Sequence, residues 1–204
     1  MNRSSELAVR ARALLRSSLS ETSVAHCERV AATAWALAAH FGVDQDKAEL
    51  AGLLHDYSRD ETDEALLAAA ERMGVPVLPV EQERPYLLHA RIAAASLRRD
   101  MPGLGEAVLS AIAAHTVGSV PMSDLDKIVY VADMIEPARS YPGVDELRAA
   151  CAGDDLAECF RRAYARSLRH VMESGAPVHP VSSAVGAAIE RETGRPLFDR
   201  VPQP

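Results

Sequence analysis

The feature that most constrains this chain is the helical spacing of its apolar residues. Leu7, Ala11, Leu14 and Leu15 fall three and four residues apart over residues 5–17, and Val30, Thr33 and Leu37 do so further on, which is how a helix keeps one face toward a core. His26 shares that second face. Aromatic residues make up only 4% of the chain against 48% hydrophobic residues overall, so the apolar mass is mainly Ala, Leu and Val, of which Ala and Leu are strong helix formers. The spacing therefore predicts an all-α fold, a helical bundle that fits one domain at 204 residues.

Capping residues, Gly and Pro then divide the chain. Ser20, Thr22 or Ser23 caps a second helix that runs to Phe41 and stops at Gly42, and Asp44 caps a third that ends near Asp56 or Tyr57. Asp60 or Thr62 caps a fourth, which Gly74 ends. Pro76, Pro79 and Pro85 predict an extended connection over residues 75–85. Further helices are expected over about 85–100 and 105–115, then from a capping box at Ser123 and Asp126 to Glu136, where Pro137 closes the element. Asp145 and Asp154 read as caps of two more, the second running to about Ser174, followed by a short helix over 183–193 and a polar tail.

Charge and cysteine usage exclude several classes. A net charge of −7 leaves no broad basic face for nucleic acid, so an anionic substrate needs local cations. No run of 18 apolar residues and no cationic leader is present, which predicts a soluble cytoplasmic protein with no membrane partner. Cys27, Cys151 and Cys159 form neither a CxxC pair nor a disulfide framework, in keeping with a reducing compartment. Cys27, Trp35 and Tyr164 read as packing groups, His40 and His170 as surface groups, and Arg161, Arg162, Arg166 and Arg169 as a solvated basic face.

Against that background the titratable residues on apolar helices stand out. Gly52-Leu53-Leu54-His55-Asp56 delivers adjacent imidazole and carboxylate groups to a helix end, and Asp133 sits among Val129, Tyr130, Ala132 and Met134. A carboxylate is rarely buried unless it is paired or bound to metal, and Arg139 is the ordinary partner for Asp133. His26, His55-Asp56, His89, His115 and Asp133 fall on five helices, each at an inner face or an end, as a bundle requires for a core metal site. Imidazole and carboxylate without thiolate suit iron, manganese, cobalt or zinc, and an ion with open positions suits metal-assisted hydrolysis.

These residues carry a resemblance. His26, the His55-Asp56 doublet and Asp133 match the H…HD…D pattern of the HD-domain metal-dependent phosphohydrolases. More specific are Gly52 to Asp56, His115-Thr116-Val117-Gly118, and Leu125 to Pro137 with Arg139 and Tyr141-Pro142-Gly143. Over about residues 10–185 the chain resembles the bacterial YqeK family, the HD-type symmetrical bis(5′-nucleosyl)-tetraphosphatases.

The resemblance implies an HD-domain bundle with a metal site in its core, cleaving diadenosine tetraphosphate and related dinucleoside polyphosphates into two nucleoside diphosphates such as ADP. It implies one or two ions, iron foremost, with His26, His55, Asp56 and Asp133 as ligands. His89 and His115 would contact phosphates or hold a second ion. Asp56, Arg59, His89 and His115 would serve catalysis, and His26, Thr116, Asp133, Arg139 and the run Ala176, Pro177, Val178, His179, Pro180 and Val181 would join them in holding substrate. Residues 1–175 would form the HD domain and 176–204 a nucleotide-contacting segment, short helix and tail, with a homodimer as an allowed assembly. Two departures stand against this. Ser58-Arg59 replaces the family's Ala-Lys, and Ser182 stands where Thr is expected, without the Asn that follows it. Another HD-type nucleotide phosphohydrolase and a non-catalytic metal- or nucleotide-binding regulatory module are the alternative functions.

Overall fold

The computed structural model describes residues 3–198. Its helices are α1 (Arg3–Ser18), α2 (Glu21–Phe41), α3 (Gln45–Leu54), α4 (Asp63–Met73), α5 (Pro79–Glu83), a 3-10 turn (Pro85–Leu88), α6 (His89–Asp100) and α7 (Glu106–Ala114). They continue with α8 (Asp124–Ile135), α9 (Val144–Cys151), α10 (Leu156–Glu173) and α11 (Pro180–Thr193). Among the described residues there is no strand, so the fold is all-α.

α2 packs on α3 and α8, α7 on α3, α6 and α8, and α10 covers α8 and carries α11. The sequence of α8 explains its place. Every residue from Leu125 to Ala132 is buried, and a helix buried all round belongs in the middle of a bundle. The α2–α3 contact depends on Gly52, where a Cβ would lie 3.1 Å from Ala31 Cα and from Val30 O. A side chain there would push the two helices apart by a few tenths of an ångström. That close approach brings the end of α3, with His55 and Asp56, up to His26 on α2.

The helix ends follow their caps. Ser20 accepts from Ser23 N–H, Asp44 from Lys47 N–H and Thr62 from Ala65 N–H, while Gly42 closes α2 at φ 71° in the left-handed region. Ser123 and Asp126 form a reciprocal capping box.

The structure corrects several expectations. Residues 75–85 are not extended throughout, because Pro79 opens α5, a position that needs no N–H, and the Glu81 carboxylate accepts from Leu78 N–H. The helix expected from residue 85 begins as a 3-10 turn and becomes α-helical only at His89. Gly143 and Asp155, not Asp145 and Asp154, are the caps of α9 and α10. α11 starts three residues earlier than expected, at Pro180, because His179 Nδ1 accepts from Val181 N–H. Trp35 is 47% exposed, outside the face of α2 that Val30, Ala31, Ala34 and Ala38 turn inward. Arg161 does not belong to a solvated face: it is 2% exposed and donates to Glu158 and to the carbonyls of Pro196 and Leu197. Cys151 and Cys159 pair in a disulfide, since the turn between α9 and α10 brings their Cα atoms to 5.0 Å. The last residues of the anticipated tail, 199–204, lie outside the described residues. Among the described residues no helix is long and apolar enough to cross a membrane.

Candidate metal centre

Five helices meet at one group of imidazoles and carboxylates. α2 supplies His26, the end of α3 His55 and Asp56, the start of α6 His89, the end of α7 His115, and α8 Asp133. Asp56 is the hub. Its Oδ2 lies 3.3 Å from His55 Nε2 and 3.7 Å from His26 Nε2, whereas Oδ1 lies 3.2 Å from His89 Nε2 and 3.3 Å from His115 Nε2. Two groups that could each hold a metal ion therefore share this carboxylate, His26–His55–Asp56 and Asp56–His89–His115. Asp133 Oδ1 joins the first, 3.0 Å from His26 Nε2 and 3.8 Å from His55 Nε2.

The four rings are held in the orientation that a metal requires. His55 Nδ1 donates to Gly52 O, His89 Nδ1 to Tyr86 O and His115 Nδ1 to Ile112 O, in each case a carbonyl three residues back. His26 Nδ1 donates to the Glu136 carboxylate at 3.2 Å. Since those oxygens only accept, each Nδ1 carries a hydrogen, which leaves Nε2 as the nitrogen of each ring that faces the centre and could ligate a metal. His55 Nε2 and Asp56 Oδ1 are buried and have no hydrogen-bond partner in the protein. Buried polar atoms are seldom left so, and here they belong to the two residues best placed to ligate. The donor set fits a divalent ion of borderline hardness.

Electrostatics couple the groups. Burial pushes the Asp56 carboxyl up, but His55, His115 and His89 outweigh it and hold the group well below the usual carboxylate range. Burial pulls His55 down, and the Asp56 charge overrides it, so the ring is held well above its ordinary value. His115 is lowered, by burial first. Burial also opposes ionisation of Asp133, yet the hydrogen bond with His26, the His55 charge and Arg139 keep its carboxyl low. A cation bound among these rings would take the place of the proton on His55.

Around the centre, Arg139 pairs with the Asp133 carboxylate and donates from Nε to its carbonyl at 2.9 Å. The ordinary ion pair expected for Asp133 thus coexists with its place beside the imidazoles. Arg59 Nη1 is 3.7 Å from Asp56 Oδ1, with its side chain 54% exposed. Thr116 Oγ1 lies 3.2 Å from His89 Nε2 and 3.3 Å from His115 Nε2. A cavity of about 230 Å³ adjoins Thr116, with Tyr86, Ala176, Pro177 and His179 among its lining residues. Within the run 176–181, Val178, Pro180 and Val181 are not on that lining. Pro180 opens α11, and Val181 packs against the core.

Sequence reasoning passed over Glu136 and Glu81. Glu136 is 2% exposed and receives His26, Arg29 and the Ala138 N–H. Its signal was its place one helical turn after Asp133, at the end of the apolar α8. Glu81 is fully buried inside the Pro-rich connection, and nothing local in the sequence marks it.

Residues 24–138 match the HD domain family. The chain belongs to the HD-domain family. The HD match spans both groups that could hold an ion, and Asp133 on α8 beside them. A Bacillus subtilis (strain 168) relative named bis(5'-nucleosyl)-tetraphosphatase, symmetrical, is 36% identical over 182 residues, 88% of this chain and 93% of the relative. A Halalkalibacterium halodurans relative of the same name is 35% identical over 169 residues, 82% of this chain and 88% of the relative. Among solved structures, an HD superfamily hydrolase from Clostridium acetobutylicum, described as predicted and as involved in NAD metabolism, is 30% identical. It superposes with a TM-score of 0.85 over 90% of this chain and 96% of that one.

Proposed function

We propose that this HD-domain protein hydrolyses dinucleoside tetraphosphates, diadenosine tetraphosphate foremost, symmetrically into two nucleoside diphosphates. The observation that carries the proposal is the pair of ligand sets sharing Asp56, with a cavity beside them of a size for one nucleoside. Relatives named for that reaction match over most of both chains.

His26, His55, Asp56 and Asp133 would hold one ion, and Asp56, His89 and His115 a second. Iron is the proposed metal, with manganese, cobalt and zinc compatible with the same donors. Bound divalent ions supply Lewis acidity toward a phosphoryl oxygen and a nucleophilic water at neutral pH.

The chain's own groups do the rest. The anhydride bond that breaks joins the second and third phosphorus atoms. One of these takes the oxygen of water, the other leaves with the bridging oxygen, and each half keeps two phosphates. Arg139 and Arg59 stand at the rim of the centre, where they would offset charge on the phosphoryl oxygens of a substrate that an acidic chain otherwise repels. Thr116 would donate to a phosphoryl oxygen between the centre and the cavity. With one nucleoside held between Tyr86 and the Ala176–His179 wall, the fixed offset from cavity to centre selects which phosphorus is attacked. Ala176, Pro177 and His179 would form one wall of the site, and a substrate found inside cells would place the protein in the cytoplasm.

The test is product chromatography on anaerobically purified protein with diadenosine tetraphosphate. ADP alone is expected, abolished by chelator and by His55→Ala or Asp133→Ala together with the bound metal. AMP plus ATP, or orthophosphate, would overturn the assignment, and so would full activity and metal content in either variant.

A further inference from the structure

The connection between α4 and α6 contains a carboxylate that the hydrolytic centre does not use. Glu81 has 1% of its side chain exposed. Oε2 accepts from Leu78 N–H at 2.8 Å, while Oε1 accepts from the Arg91 guanidinium on α6 and lies 3.3 Å from His179 Nε2. The other nitrogen of His179 sets the direction of that last contact. Val181 N–H donates to Nδ1 at 3.2 Å, so Nδ1 is the acceptor and Nε2 carries the hydrogen that Glu81 receives. One buried carboxylate thus ties α5 and α6 to the N-cap of α11, 98 residues further along the chain.

Both ends of this tie flank the cavity beside the metal centre. Arg84 and Tyr86 line it from the connection that Glu81 anchors, and Ala176, Pro177 and His179 line it from the segment before α11. Without the tie, two separate stretches of chain face each other across the cavity. We propose that Glu81 is a positioning residue for substrate: by holding His179 in one tautomer, it fixes the two walls at the spacing that fits a nucleoside. The inference rests on the reading of this cavity as the nucleoside site. His89 is anchored through Tyr86 O, on the connection that Glu81 holds by Leu78 and Arg91, so breaking the tie from the His179 side leaves that anchor in place and acts on binding rather than on turnover.

The experiment measures KM, kcat and bound metal with diadenosine tetraphosphate on Glu81→Ala, His179→Ala, the double variant and Leu168→Trp, which fills the cavity. His179→Ala is expected to raise KM about tenfold, the loss of one charge-assisted hydrogen bond, with kcat and metal content within about twofold of the parent, and Glu81→Ala, which also releases Leu78 and Arg91, to raise KM at least as much. The double variant should cost no more than the worse single, because both break the same link. His179→Ala leaves Glu81 bonded to Leu78 and Arg91, so it reads the tie even if Glu81→Ala fails to fold. Additive penalties, or an unchanged KM in the tie variants while Leu168→Trp raises it, would overturn the positioning role. An unchanged KM in Leu168→Trp with turnover intact would instead remove the nucleoside site, and the positioning role with it.

Discussion

Replacing Glu136 by Gln isolates the contribution of a carboxylate that backs His26 from outside the central cluster. Glu136 Oε1 accepts from His26 Nδ1 at 3.2 Å, and Oε2 accepts from Arg29 Nε and from Ala138 N–H, each at 2.7 Å. Glutamine keeps the shape but has a single acceptor oxygen. Two short donors hold that oxygen on the Arg29 side, so the amide NH2 turns toward His26 Nδ1, where a donor meets a donor. His26 then loses both the bond that orients it and the negative charge that makes its Nε2 a better ligand. Loss of a hydrogen bond to a charged group costs about 1.5–3 kcal/mol, or roughly 10–100-fold in an equilibrium constant. Removing the carboxylate behind a ligating His weakens metal binding by a similar factor of about 10–100. Chelator competition on the variant should show that loss. Urea unfolding in chelator should show a smaller one, because the Arg29 side chain is 35% exposed and finds water. Wild-type metal affinity in Glu136→Gln would refute the reasoning.

Asp56→Asn is expected to weaken both ions, since one oxygen faces each ligand set, and metal analysis showing one ion retained in full would argue against a shared carboxylate. Gly52→Ala places a Cβ 3.1 Å from the α2 backbone and should destabilise the fold by about 1–3 kcal/mol in urea titration, with α3 pushed away from His26. Stability should also fall in acid through Glu158, whose carboxyl the Arg161 hydrogen bond draws down to about 2. A folded-state value below the ordinary 4.5 contributes stability above that pH and loses it as pH falls toward 2, so Glu158→Gln should flatten this part of the pH profile of unfolding.

Much of the bundle was legible because its information is local. Ser20, Asp44, Thr62 and Ser123 mark helix starts through bonds to residues three positions on. The residues of the central cluster were legible for a related reason: His55-Asp56 and Asp133 are polar groups on helices otherwise apolar, where burial needs a partner. What escaped was set by contacts between distant stretches. That Asp56 lies between two groups of imidazoles depends on α6 and α7 meeting the end of α3, and Glu81 meets His179 only across 98 residues of chain. Arg161 is drawn inward by the carbonyls of Pro196 and Leu197, which no spacing within α10 reveals. Pro79 misled for the opposite reason, since the residue that breaks a helix interior also begins one.

Hydrolysis of diadenosine tetraphosphate in ¹⁸O-enriched water, followed by mass spectrometry of the nucleotides, tests the central claim most directly. Cleavage between the second and third phosphorus atoms predicts ADP as the sole product, with one labelled oxygen in half of the ADP molecules. Label in AMP, ATP or orthophosphate would contradict it.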